Sequence, residues 1–157
     1  MRLTLCVIAL ILLSACHSPN QARVHVVKNK SHVAYVEELQ LLAPQVCMKS
    51  NLPNEEPIQP FLIDITVEGK LAALLDLSSN QTIDSRNVLQ RTETSKELFC
   101  TGNNMKIKQE VREKDLKKWI KEENITVTLT ELNGDIIERS PLTAFKIGEM
   151  DGAVSKP

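Results

Sequence analysis

Phe61-Leu62-Ile63-Asp64-Ile65-Thr66-Val67-Glu68 sets Phe61, Ile63, Ile65 and Val67 on one side of an extended chain. Leu62, Asp64, Thr66 and Glu68 fall on the other. Side chains alternate between faces along a strand, so this octet reads as a strand with one dry face and one wet face. Gly69-Lys70 then reads as a turn, with Leu71 to Leu77 returning as the hairpin partner. Before the octet, the segment from Asn51 to Pro60 holds Pro53, Pro57, Pro60 and Asn54, which makes it a loop.

Further upstream, Ala22-Arg23-Val24-His25-Val26-Val27 alternates small apolar and polar residues as a half-buried strand does, and Lys28-Asn29-Lys30-Ser31 breaks it. From Val33 to Ala43, the positions Val36, Leu39 and Ala43 follow a 3.6-residue period, with Glu37-Glu38 on the opposite side. That pattern predicts a short helix, stopped by Pro44. Gln45-Val46-Cys47-Met48 predicts a short strand. Downstream, Ser78 to Arg91 is polar and is expected to cross the surface, whereas Glu97-Leu98-Phe99-Cys100 is apolar enough to enter the core. Between Gln109 and Glu123, Leu116, Trp119 and Ile120 form a helical stripe. Glu110–Lys114 and Glu113–Lys117 are potential i,i+4 pairs, and Asn124 ends the element. Ile125-Thr126-Val127-Thr128-Leu129-Thr130 is a second alternating strand. It leads into Asn133-Gly134, a pair suited to a type I′ turn, and Asp135-Ile136-Ile137-Glu138-Arg139 returns. Pro141 ends that ladder, Leu142 to Ile147 supplies a last strand, and Asp151 to Pro157 should fray. The expected class is mainly β: a small antiparallel β-sandwich or sheet with one or two short helices, in a single domain over 22–150.

The start of the chain is of another kind. Arg2 precedes the apolar run Leu3-Thr4-Leu5-Cys6-Val7-Ile8-Ala9-Leu10-Ile11-Leu12-Leu13, and the small residues Ser14 and Ala15 follow. A charged n-region, a short apolar h-region and small residues at a cut site are the parts of a secretory signal. The run is well short of the roughly 20 residues a membrane-spanning helix needs. Leu13-Ser14-Ala15-Cys16 resembles the lipobox of bacterial lipoproteins. The resemblance implies removal of residues 1–15, diacylation of the Cys16 thiol and acylation of its new amino group. Residue 17 is His rather than Asp, which by analogy with enteric bacteria directs such a protein to the outer membrane. Each buried methylene contributes about 0.8 kcal/mol, so several acyl chains hold a protein stably where one does not. Residues 16–21 then form a short polar tether of roughly 20 Å when extended, at about 3.5 Å per residue.

Processing of that kind sharpens the cysteine count. Of four cysteines, Cys6 leaves with the signal and Cys16 takes lipid, which leaves Cys47 and Cys100 as one pair in an oxidising compartment. A disulfide between them is expected. Loss of Arg2 makes the chain one unit more negative than its formal charge of −1. That balance offers no electrostatic footprint for nucleic acid. The aromatic residues are Tyr35, Phe61, Phe99, Trp119 and Phe145, so the core must be mostly aliphatic.

Chemistry is sparse. His17, His25 and His32 lie close together in sequence, in the tether, on the exposed side of a strand and in a polar turn. None belongs to an HExxH or paired CxxC pattern. No serine stands in a GxSxG elbow, and five glycines assemble no phosphate loop. Lys114, Lys117, Lys118 and Lys121 make a basic stripe opposite Trp119. Interleaved with Glu110, Glu113, Glu122 and Glu123, it reads as the solvated face of an amphipathic helix. No catalytic residue, metal or cofactor is expected, and the chain is read as a non-enzymatic binding protein.

Cys47 at the end of a strand, the polar loop, the strand Phe61–Val67, Phe99-Cys100 and the strand Ile125–Leu129 together resemble the periplasmic immunity lipoproteins of type VI secretion. Those are sandwiches with a similar cysteine pair. The layout is also similar to that of the β-sandwich pilotins, which escort secretin subunits to the outer membrane, and to structural lipoproteins of the type VI envelope complex. All three imply a membrane-anchored protein whose partner is another periplasmic protein, a toxin in the first case and a secretion component in the others.

Overall fold

Alternating burial along Phe61–Val67 is as strict as the sequence pattern: the odd-numbered residues are buried and the even-numbered ones half-buried. The computed structural model describes residues 24–51, 58–76, 78–89 and 98–148. Its elements are β1 (Val24–Val26), β2 (His32–Val36), a 3-10 turn (Glu37–Leu39), β3 (Leu41–Ser50), β4 (Phe61–Val67), α1 (Gly69–Leu74), β5 (Asn80–Asp84) and α2 (Ser85–Leu89). They continue with β6 (Phe99–Gly102), β7 (Met105–Lys106), α3 (Glu113–Lys121), β8 (Ile125–Glu131), β9 (Ile136–Pro141) and β10 (Phe145–Ile147).

Two sheets result. One runs β5-β4-β8-β9, every neighbour antiparallel. The other is built on the long strand β3. Gln45 pairs with both His32 and Gly102, and Met48 with both Val26 and Phe99. Strands β1 and β2 therefore line one edge of β3 in succession, while β6 and β7 line the other. β10 joins the far side of β2 in parallel. The buried residues of both sheets form one core cluster: Phe61, Ile63, Ile65, Ile125, Val127 and Leu129 from the first, Val24, Val33, Tyr35, Leu42, Val46 and Met48 from the second. Phe61 and Phe99 meet across it with ring centroids 6.4 Å apart. Burying side chains of this size contributes about 1.5–3 kcal/mol each. The expected mainly β class, as a small sandwich, is what the chain adopts.

Several expectations are corrected. Val33–Ala43 is not a helix but β2, the 3-10 turn and the start of β3. Val33 and Tyr35 face the core from β2, and Leu42 from β3, so period two wins over the apparent 3.6 spacing. Pro44 does not stop an element; it lies inside β3, opposite Val33. Val33 sends its N–H to Ala144 at 2.8 Å, away from β3, so the Val33–Pro44 pair needs no hydrogen bond. The nitrogen of Pro44 faces residues 103–104, where β6 gives way to β7, a break that suits a residue with no N–H. Gly102 fits beside it only as glycine, because a Cβ there would lie 2.0 Å from the Pro44 carbonyl oxygen.

The expected return over Leu71–Leu77 is likewise not a strand where it is described, Leu71–Asp76. Gly69, at φ +61°, opens α1, whose Leu71 is buried, and the true antiparallel partner of β4 is β5. Strand β5 and helix α2 fall within Ser78–Arg91, whose polar composition predicts only a surface crossing. Helix α3 is the expected helix, shortened to Glu113–Lys121, with Leu116 and Ile120 buried and Trp119 half-buried. Its ion pairs are Arg112–Asp115 and Lys118–Glu122 instead of the two expected. Beyond it, Glu123 takes a positive φ and the side-chain amide of Asn124 donates to the Trp119 carbonyl at 2.7 Å, closing the helix end. The described residues contain no helix long and apolar enough to cross a membrane.

Candidate functional site

Cys47 and Cys100 stand directly opposite each other in the β3–β6 register, Cα atoms 4.0 Å apart, and are bonded. Cys47 turns its backbone groups the other way. Its N–H donates to the Ser31 hydroxyl at 2.9 Å, and its carbonyl accepts from Val27 N–H at 2.8 Å. Toward β6 it is thus a non-hydrogen-bonded pair, the closer of the two antiparallel spacings. The bond lies on the outer side of the β3 sheet. Cys16, the expected lipidation position, and His17 lie outside the described residues, as do the signal, the tether and the 151–157 tail.

The remaining histidines do not come together for chemistry. His25 is half-buried in β1 rather than exposed, and its Nδ1 is buried without a hydrogen-bond partner. His32 places Nδ1 3.3 Å from the Lys30 carbonyl. Among the described residues no three His, Cys, Asp or Glu side chains gather as a metal site. Lys114, Lys117, Lys118 and Lys121 are exposed on α3, as expected of a solvated helix face.

What the register does assemble is the outer face of the β5-β4-β8-β9 sheet, which the sequence reading did not single out. Three rows cross all four strands. They are Asn80–Thr66–Thr126–Pro141, Thr82–Asp64–Thr128–Arg139 and Asp84–Leu62–Thr130–Ile136. Every member is half-buried or exposed. Five of the twelve are threonines, whose short β-branched side chains have few rotamers to lose on contact. Side-chain hydrogen bonds tie the rows: Thr66 Oγ1 donates to Asn80 Oδ1 at 3.2 Å and Thr82 Oγ1 to Asp64. At the corner of the face Asp84 pairs with Arg86 on α2, and the guanidinium holds the Asp84 carboxyl down to about 2 from its ordinary 3.8. The inner edge is closed separately. Glu138 of β9 turns inward and accepts a hydrogen bond from Val26 N–H of β1 at 2.8 Å, joining the two sheets.

The face ends in the β8–β9 hairpin. Its turn is not type I′: Asn133 keeps a negative φ and only Gly134 is positive, at +97°. Gly134 N–H donates to the Glu131 carbonyl at 2.9 Å, and Glu131 N–H to the Asp135 carbonyl at 2.8 Å. That is a three-residue loop, a type I turn followed by a positive-φ glycine. Residues 131–136 are all exposed. Leu132 and Ile136 are 56% and 61% exposed, more than any other large apolar side chain among the described residues.

No family model matches the chain, and comparison with curated proteins and with solved structures found no match.

Proposed function

We propose that this chain is a bacterial envelope lipoprotein, anchored through Cys16 at the periplasmic face of the outer membrane, that acts by binding another protein. The partner assigned to it is a secreted toxin, which it neutralises. Two lines support the address. Leu13-Ser14-Ala15-Cys16 carries the lipobox pattern, and the two cysteines that remain after such processing are bonded to each other, as export to an oxidising compartment favours. The observation that carries binding is the hairpin end of the outer sheet face, where Leu132 and Ile136 are the most exposed large apolar side chains among the described residues. Two large apolar side chains exposed side by side on an ordered hairpin form a local apolar patch of the kind that contact with another protein covers. The choice of a toxin rests on the resemblance in cysteine and strand spacing described above.

The test has two parts. Palmitate labelling of the producing cells should mark the wild-type protein and be lost in Cys16→Ser, which should leave the membrane fraction or remain uncleaved; equal labelling of both removes the anchor. Co-purification from envelope extracts should then yield a stoichiometric protein whose toxicity the chain suppresses. Recovery of a secretin subunit instead replaces the toxin with a secretion component. Turnover of a small molecule or peptidoglycan fragment, abolished by one carboxylate substitution, overturns binding as the function.

A further inference from the structure

The β8–β9 hairpin tip combines three properties; the turn Glu37–Leu39 is also exposed and acidic but carries one exposed apolar side chain, Leu39, where the tip carries two. The tip projects: a Cβ built on Gly134 would meet nothing within 4 Å, and all of residues 131–136 are exposed. It is apolar at its flanks, through Leu132 and Ile136. It is also acidic with no cation among its own residues, because Glu131-Leu132-Asn133-Gly134-Asp135-Ile136 contains two carboxylates and neither Lys nor Arg. The Asn133 side-chain amide donates to Glu131 Oε2 at 3.2 Å and to Asp135 Oδ2 at 3.0 Å, while its oxygen accepts from Asp135 N–H at 2.9 Å. The loop is therefore ordered before contact, which lowers the entropic cost of binding.

We propose that this tip is an insertion loop that enters a cation-rimmed, apolar-floored cleft on the partner protein. Leu132 and Ile136 fill the floor, and Glu131 and Asp135 meet lysine or arginine side chains at the rim. The charge pattern favours this occupant over an anionic lipid surface, which would repel both carboxylates. A second copy offering its exposed α3 lysines is the competing occupant, and a self-adduct would reveal it. The inference rests on the protein-binding function proposed above and adds the surface and the chemistry of what it meets.

The probe is a photo-crosslinking residue, p-benzoylphenylalanine, placed at Leu132 in the full-length protein in producing cells, with Lys146 on β10 as the control position. The expected result is a protein adduct from position 132 and none from 146, with the crosslinked partner residue mapped by mass spectrometry beside lysine or arginine. Purified in turn, that partner should lose affinity by at least about 30-fold with Leu132→Ser/Ile136→Ser, a hot-spot loss. With Glu131→Gln/Asp135→Asn it should bind more weakly at low salt and lose most of its salt dependence. These side chains are exposed, so unchanged thermal unfolding of the variants shows that the fold is intact. An adduct from 146 alone, a self-adduct or a lipid adduct at 132, or unchanged affinity in both variants overturns the insertion loop and leaves protein binding standing. Adducts from neither position also overturn the insertion loop, and the co-purification above then decides protein binding separately.

Discussion

Replacing both Cys47 and Cys100 by alanine removes a bond that closes 53 residues of chain. In the chain-entropy relation a loop of that length restricts the unfolded state by about 14 cal/mol/K, or about 4 kcal/mol at 25 °C. On the native side little is lost. β3 and β6 stay in register through Gln45–Gly102, Val46–Thr101 and Met48–Phe99, and the Cys47 backbone remains bonded to Ser31 and Val27. The destabilisation should therefore come from the freed unfolded chain and should consume much of a domain stability of about 5–15 kcal/mol. Equilibrium unfolding in guanidinium, followed by circular dichroism on protein released from its anchor by Cys16→Ser, should show a loss of about 4 kcal/mol. The denaturant slope should rise, because an uncrosslinked chain exposes more surface. The melting temperature should fall by about 15 °C. Non-reducing peptide mapping of the parent protein should find Cys47 joined to Cys100. A loss below about 1 kcal/mol with an unchanged slope would refute the entropic account, and alkylation of both thiols without reduction would refute the bond itself.

Two further outcomes follow from local geometry. Asp84, held at about 2 by the Arg86 side chain and backbone, favours the folded state above its ordinary value of 3.8, and that contribution disappears as pH falls through about 2. A carboxyl NMR titration should place Asp84 near 2 in the parent and move it toward 3.8 in Arg86→Ala; coincident curves would contradict the pairing. Gly102→Ala forces a Cβ to within 2.0 Å of the Pro44 carbonyl oxygen and should cost at least about 2 kcal/mol, whereas the same change at Gly134 meets no neighbour and carries only its positive-φ strain. Equal stabilities of the two variants in urea would show that β6 can move away from β3.

The parts of the fold that could be read in advance are those where one local rule acts alone. Phe61–Val67 and Ile125–Thr130 alternate because each has one face on the core and one in water, and the stripe Leu116, Trp119, Ile120 lies on a helix packed along one side. From Val33 to Pro44 two rules give different answers, and the wrong one prevails in the sequence pattern. Val36, Leu39 and Ala43 mimic a helical stripe, yet Leu39 is 44% exposed in the 3-10 turn, and the buried positions are Val33, Tyr35, Leu42 and Pro44. The β-branched and aromatic run Val33-Ala34-Tyr35-Val36 was the available strand signal. Pro44 read as a stop because nothing local announces that β6 and β7 part opposite its nitrogen. β5 was hidden for another reason. As an edge strand it is wet on most of its surface, so Asn80-Gln81-Thr82-Ile83-Asp84 shows little alternation. α1 was legible, since Leu71-Ala72-Ala73-Leu74 consists of strong helix formers, but the preceding Gly69-Lys70 suggested a hairpin instead.

The candidate surface was illegible for a reason that one residue illustrates. A two-residue type I′ turn at Asn133-Gly134 would set Ile136 opposite Glu131, on the side of the sheet that Ile125, Val127 and Leu129 turn to the core. The three-residue loop shifts the register by one, and the irregularity between Leu129 and Thr130 absorbs the difference before Leu129 meets Glu138. Ile136 thereby faces Thr130 on the outer side, and Ile137 packs against the core in its place. A slip of one residue exchanges the two faces of a strand, so the turn type alone decides which isoleucine meets water. Asn-Gly is compatible with both turns, and Ile136-Ile137 offers an apolar side chain to either face. The sequence therefore contains the apolar residues of the surface but not their direction. The same holds for Thr126, Thr128 and Thr130, which any half-buried strand would carry. They become a continuous face only once β5, β4 and β9 fix Thr82, Asp64 and Arg139 beside them.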